Sequence, residues 1–155
     1  MQYAGNLLVV KDIEKSKKFY QEVLGLQIVS DFGANITLNG GISLQELQSW
    51  LMLIGKKDSD LRFGSNTAEI YFEENDLDAF AFKLATLEDI KHVHGIKEFP
   101  WGQRSLRFYD PDGHMIEVGE NMIIVVTRFI NSGLSREETA QRMDVPLEYI
   151  NFCLQ

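Results

Sequence analysis

Cysteine is nearly absent: Cys153 is the single thiol in 155 residues. That excludes an internal disulfide framework, a cysteine-based zinc site and a redox cysteine pair, and it fits a reducing cytoplasm. Long apolar runs are missing as well. The longest, Met122 to Val126, is far too short to cross a bilayer. No signal peptide is visible, because Asn6 to Val10 is followed at once by Lys11 and Asp12. Positive charge is scarce. Lys and Arg total 15 against 23 Asp and Glu, for a net charge of -8 and a pI near 4.8. That balance disfavours non-specific binding to nucleic acid or anionic membranes and favours solubility. No Ser/His/Asp set and no phosphate loop is present.

What is there reads as one ordinary soluble domain, with 45% hydrophobic and 25% charged residues. The richest stretch is Phe108-Tyr-Asp-Pro-Asp-Gly-His-Met-Ile-Glu-Val118. A strand runs into Asp-Pro-Asp-Gly, where Pro111 pre-sets φ, Gly113 accepts positive φ and the two Asp side chains can bond nearby amides. The strand that leaves alternates strictly. Ile116 and Val118 share one face and Met115 and Glu117 the other, so Glu117 is either solvated or inside a cavity.

A pattern of strand, helix and three strands occurs twice. In the first copy a strand at Leu7 to Val10 precedes a helix capped by Asp12 and closed by Gly25. Strands at Leu26 to Ser30, Ile36 to Leu38 and Ile42 to Leu47 follow, with Asn39-Gly40-Gly41 as a hairpin signal. A connector, Gln48 to Asn66, holds a short helix around Trp50 to Ile54. In the second copy the strand is Glu69 to Glu73, the cap is Asp76, and the strands are Lys91 to Gly95, Ser105 to Tyr109 and His114 to Val118. Asp12 and Asp76 register the copies at an offset of 64, and Gly41 and Gly113 at 72. Each copy is expected to form a small curved sheet with a helix on its convex face, the concave faces enclosing a cavity. Residues 120–155 have no counterpart in the repeat and read as helical, with a capping box at Ser135 to Glu138 and Pro146 in a first turn.

The segments Leu8 to Tyr20, Val23-Leu-Gly25 and Asp110 to Glu117 resemble the vicinal oxygen chelate superfamily. That group includes glyoxalase I, extradiol dioxygenases, fosfomycin-resistance enzymes and bleomycin-binding proteins. The resemblance spans about residues 3 to 119 and implies an α+β fold, two βαβββ modules (1–47 and 67–119) forming one domain, 1–119, to which the residues themselves add a helical extension, 120–155. It also implies a homodimer and a cavity for a small molecule. Members with a metal hold it through four positions, which here are Gly5, Gln45, Glu69 and Glu117. Gly5 departs from the pattern, having no side chain to offer. Glu69, Glu117 and Gln45 could hold Mn²⁺, Mg²⁺ or Ca²⁺, but they lack the nitrogen-rich set that zinc or iron prefers.

Glu117 and Glu69 are the catalytic candidates, as an acid/base pair. Gln45, Tyr71, His94, Trp101, Gln103 and Arg107 are the candidates for contacting a ligand. Arg107 shares parity with Ser105 and Tyr109, opposite Leu106 and Phe108. It is expected to face the cavity, where it either binds a ligand carboxylate or phosphate or pairs with Glu69 or Glu117. His92 shares a face with His94, and His114 is expected at the sheet edge or on the helix side. Three functions remain open. The first is a small-molecule binder of the glyoxalase and bleomycin-resistance type. The second is a metal-dependent lyase or isomerase resembling glyoxalase I. The third is a ligand-sensing regulator, because Gly133 to Ile150 loosely resembles a helix-turn-helix. That segment is not basic, so packing on the chain's own domain or on a second subunit is expected, with no nucleic-acid or membrane partner.

Overall fold

Two sets of apolar positions with period 2, each interrupted after its first strand by a helix, become two four-stranded sheets. The structure, a computed structural model, describes all residues 1–155. The first sheet has the order β1-β4-β3-β2, built from β1 (Asn6–Val10), β2 (Ile28–Asp31), β3 (Asn35–Leu38) and β4 (Ile42–Glu46). β1 runs parallel to β4, and the β2–β3 and β3–β4 pairs are antiparallel. The second sheet repeats that order as β5-β8-β7-β6, from β5 (Glu69–Glu74), β6 (Lys91–Glu98), β7 (Arg104–Tyr109) and β8 (Met115–Glu120). The internal repeat is therefore one of topology, and the fold is α+β.

By contact density the chain divides into two compact units. One comprises 1–68 with 109–115; the other comprises 69–108 with 116–155. In the first, α1 (Ile13–Glu22) begins where the Asp12 side chain accepts the Lys15 amide at 2.9 Å. It stops near Gly25, whose φ of +70° lets the chain turn back, with the Leu26 amide bonded to the Tyr20 carbonyl. Val10, Tyr20, Ile36, Leu38 and Leu44 form a buried core. The connector helix α2 (Leu47–Ile54) starts earlier than the sequence suggests. The Glu46 carboxylate accepts from the Gln48 and Ser49 amides, which ends β4 and caps the helix at once.

The Asp-Pro-Asp-Gly turn belongs to this first unit. Asp110 accepts from Tyr20 Oη at 2.9 Å and from the amides of Asp112 and His114, and its Oδ2 lies 2.8 Å from His114 Nδ1. Asp112 accepts from the Lys11 amide and from Ser16. Burial first, then the Asp110 charge, pushes the Tyr20 phenol well above its usual range, so it stays a hydrogen-bond donor. His114 thus locks a turn.

In the second unit α3 (Leu77–Ala85) is capped by Asp76 and lays Phe80 6.2 Å from Phe108. Phe108, Leu106, Ile116 and Val118 are the buried face of that sheet. β6 runs on to Glu98, three residues past its expected end. The extension forms α4 (Met122–Asn131), α5 (Arg136–Met143) and α6 (Leu147–Cys153) around Val125, Val126, Met143 and Ile150. Ser135 and Glu138 make the capping box, and Asp144 takes φ +55° to reverse the chain. No helix is long and apolar enough to cross a membrane.

Candidate functional site

Alternation decides which side chains of the second sheet avoid its apolar core. With Ile116 and Val118 turned inward, Glu117 lies on the opposite face of β8. With Leu106 and Phe108 turned inward, Ser105 and Arg107 lie on the opposite face of β7. That face is not simply solvated, because Glu117 is only 5% exposed and Ser105 is fully buried.

Arg107 is the hub. Its Nε donates to Glu69 at 2.9 Å, a terminal nitrogen donates to Glu117, and the other donates to His94 Nε2 at 3.2 Å. His94 Nδ1 lies 2.7 Å from the Gly95 carbonyl. Together these contacts fit a neutral ring with its proton on Nδ1 and an accepting Nε2. The guanidinium also lies 5.3 Å from the centre of the Phe99 ring. The sequence left open whether Arg107 pairs internally; it does, with both carboxylates.

The two carboxyls are pushed apart in acidity. Glu69 is held below its usual range, first by the hydrogen bond from Arg107. Glu117 is raised above its usual range, first by burial and then by Glu69, against the opposing effects of Ser105 and Arg107. Glu69 and Glu117 also act on each other, lowering the pKa of Glu69 and raising that of Glu117. Two carboxyls with divergent acidity are what acid–base chemistry requires. The Ser105 hydroxyl is fully buried on the same face and opposes the upward shift of Glu117.

A second chain of contacts borders the first. Phe99 and Trp101 stack with ring centres 5.0 Å apart. Trp101 donates to the Gln103 side chain, whose amide donates to Tyr71 Oη at 2.7 Å and to the Glu120 carbonyl. Tyr71 in turn donates to Glu73. Burial, reinforced by Glu73, lifts the Tyr71 phenol to about 12, so it stays protonated. Gly119 lies under this group, where any side chain would strike the Gln103 amide and the Tyr71 ring. Tyr71 and Trp101 remain 47% and 38% exposed and form an open aromatic shelf.

Seven expected residues, Glu69, Tyr71, His94, Trp101, Gln103, Arg107 and Glu117, thus fall into two hydrogen-bonded groups of one unit. His92 is exposed on β6. Gln45 sits in the other unit. Its amide accepts from Asn35 at 2.8 Å and donates to the Ala34 carbonyl and to Ser49. The two pairs correspond, since Asn35 and Gln45 lie 72 positions before Arg107 and Glu117. Sequence reasoning missed Ser105 and the arginines behind the shelf, Arg104, Arg128 and Arg142. Arg104 and Glu120 could have been found, because both share parity with core residues and so called for partners.

A divalent metal does not fit these residues as arranged. Arg107 already supplies a cation to both Glu69 and Glu117. Gly5 has φ +144°, and a Cβ there would lie 2.5 Å from the Gly41 carbonyl oxygen. A ligating side chain at that position is thus excluded by backbone as well as by sequence.

A family model described as a glyoxalase-like domain matches residues 3–123. The metallothiol transferase FosB of Lysinibacillus sphaericus is 28% identical over 116 residues, covering 72% of this chain and 76% of that protein. A solved structure from Agrobacterium tumefaciens, described as a protein of unknown function, is 38% identical with a TM-score of 0.71, covering 78% of this chain and 94% of that one. A lactoylglutathione lyase from the same organism shares the fold at 23% identity and a TM-score of 0.59, with 79% and 95% covered.

Proposed function

From the premise that the chain belongs to the glyoxalase-like family of the vicinal oxygen chelate superfamily, we propose that it is a small-molecule-binding protein whose fixed cation is Arg107. The observation that supports this is the guanidinium joined to both Glu69 and Glu117 beside the shelf of Trp101 and Tyr71. Arg107 has five N–H donors, and the contacts described use three, leaving two for ligand oxygens. A ligand with a carbonyl or carboxylate head and a flat apolar body satisfies both features. The head meets Arg107 and Glu117, and the body lies on Trp101.

A second reading rests on the divergent acidity of the carboxyls. In it Glu117 gives or takes a proton at the bound ligand, Glu69 remains charged to hold Arg107, and the guanidinium polarises a carbonyl oxygen. That makes a metal-independent lyase or isomerase. The relative named as a metallothiol transferase and the neighbour named as a lactoylglutathione lyase make transfer and lyase chemistry the reactions to try first.

The test is a thermal-shift and calorimetric screen of small 2-oxo acids, hydroxy acids and aromatic carboxylates, before and after treatment with a chelator. Binding should survive the chelator. Arg107→Met and Trp101→Ala should each weaken it by roughly ten-fold or more, the scale of one charge-assisted hydrogen bond or one aromatic contact. Binding that needs added metal and is untouched by Arg107→Met would defeat the proposal. Proton exchange or turnover of a bound 2-oxo acid, lost in Glu117→Gln with affinity retained, would select the enzymatic reading.

A further inference from the structure

The shelf is carried by a short loop held both by its own turn and from behind. Pro100 occupies the second position of a turn closed by the Gly102 amide on the Phe99 carbonyl at 2.8 Å, and the Phe99 amide bonds the Gln103 carbonyl at 2.9 Å. Behind that turn stand two arginines of the extension. Arg128, on α4, donates to the Gly102 carbonyl at 2.6 Å and to Glu120 at 3.2 Å. Arg142, on α5, donates to the Pro100 carbonyl and approaches Glu98 at 3.6 Å. Both guanidinium groups lie over the ring of Phe129, at 5.2 and 5.3 Å. That ring fills the space where a side chain on Gly102, at φ +86°, would have to go. Glu120 is fixed from the other side by Arg104, which donates to it through Nε and its amide and reaches Asp78 with its terminal nitrogens.

These contacts join residues 26 and 42 positions apart. They grip the Pro100 and Gly102 carbonyls, one on either side of Trp101, and the next residue, Gln103, is the one that holds Tyr71. An arginine that only solubilised a helix would point outward. Here α4 and α5 each direct one at the same three-residue turn. We infer that Arg128 and Arg142 are positioning residues for the ligand shelf, so that the C-terminal extension, which runs past the matched domain, sets the height and angle of Trp101. The inference rests on the proposed function only in taking Trp101 as a ligand contact; the clamp itself is read without a ligand.

The experiment uses the full chain with Trp50→Phe, which leaves Trp101 as the sole tryptophan. Arg128→Ala and Arg142→Ala are compared with their lysine counterparts. Both side chains are about 40% exposed, so the variants are expected to fold. Acrylamide quenching of Trp101 should rise roughly two-fold in the alanine variants, and exchange of the Gly102 amide should quicken roughly ten-fold, the loss expected for a charge-assisted hydrogen bond to a loop. Arg142→Lys should recover part of both effects. Exchange in β3 should not change, because that strand belongs to the other unit. Quenching and Gly102 exchange that stay at the parent level overturn the inference. Exchange that rises equally in β3 and at Gly102 also overturns it, since it marks general loss of stability. A loosened loop with unaltered ligand affinity counts against Trp101 as a ligand contact and leaves the clamp standing.

Discussion

At the scale of single residues, Glu117 carries the most physical information. It is a carboxyl only 5% exposed on the sheet face opposite the apolar core. Because burial raises its folded pKa above the unfolded value, the folded state binds a proton more tightly there. Stability should therefore fall as pH rises from the ordinary Glu value of 4.5 towards the raised one. Glu69 has the opposite sign. Its lowered value contributes stability above 4.5 that is lost as the solution is acidified through the folded value. Carboxyl NMR titration should place the Glu117 midpoint above that of Glu69, and Glu117→Gln should remove the loss on the alkaline side. A reversed order of midpoints would refute the assignment of acid and base. Parity alone placed Glu117, Arg107 and Tyr71 on one face. Parity could not decide whether Arg107 was free or paired, because a guanidinium's partners depend on distances between strands that no single strand encodes.

At the scale of elements, the caps were the most legible features. Asp12, Asp76 and Ser135 each accept the amide three residues on, and each starts a helix where the sequence says it should. The start of α2 was missed because Glu46, the last strand residue, doubles as its cap; Glu is not a usual signal at that position. The clamp by Arg128 and Arg142 was illegible for a different reason. It joins positions far apart in sequence through backbone carbonyls, which every residue has. The extension gives the prediction proper to this scale. Met143 and Ile150 are buried inside its own cluster, so Ile150→Ala should cost about 2–5 kcal/mol by leaving a cavity. Calorimetry decides whether that cost appears in the main transition, as it must if α4 to α6 melt with the second sheet. A separate low-temperature transition would show instead that the extension folds on its own.

At the scale of the whole molecule, the surface asks for a partner. Phe32 and Met52 are 78% and 76% exposed, and Val29 and Leu53 are close behind. Where such side chains lie together they form an association surface. We propose a homodimer in solution, opposed by the -8 net charge of each copy and hence tighter as salt screens that repulsion. Light scattering across salt concentrations checks this, and Met52→Glu with Leu53→Glu should shift the mass towards that of one chain. A mass of one chain at every concentration and salt would contradict it. The duplicated architecture holds one more consequence. At matching positions the two copies carry an amide pair, Asn35 with Gln45, and a charged pair, Arg107 with Glu117. One chain therefore contains both a neutral and an ionic solution to the same problem of joining neighbouring strands. The first copy is a built-in control for the second: a difference in pH or salt response between the two sheets measures what ionisation adds, with backbone topology held constant.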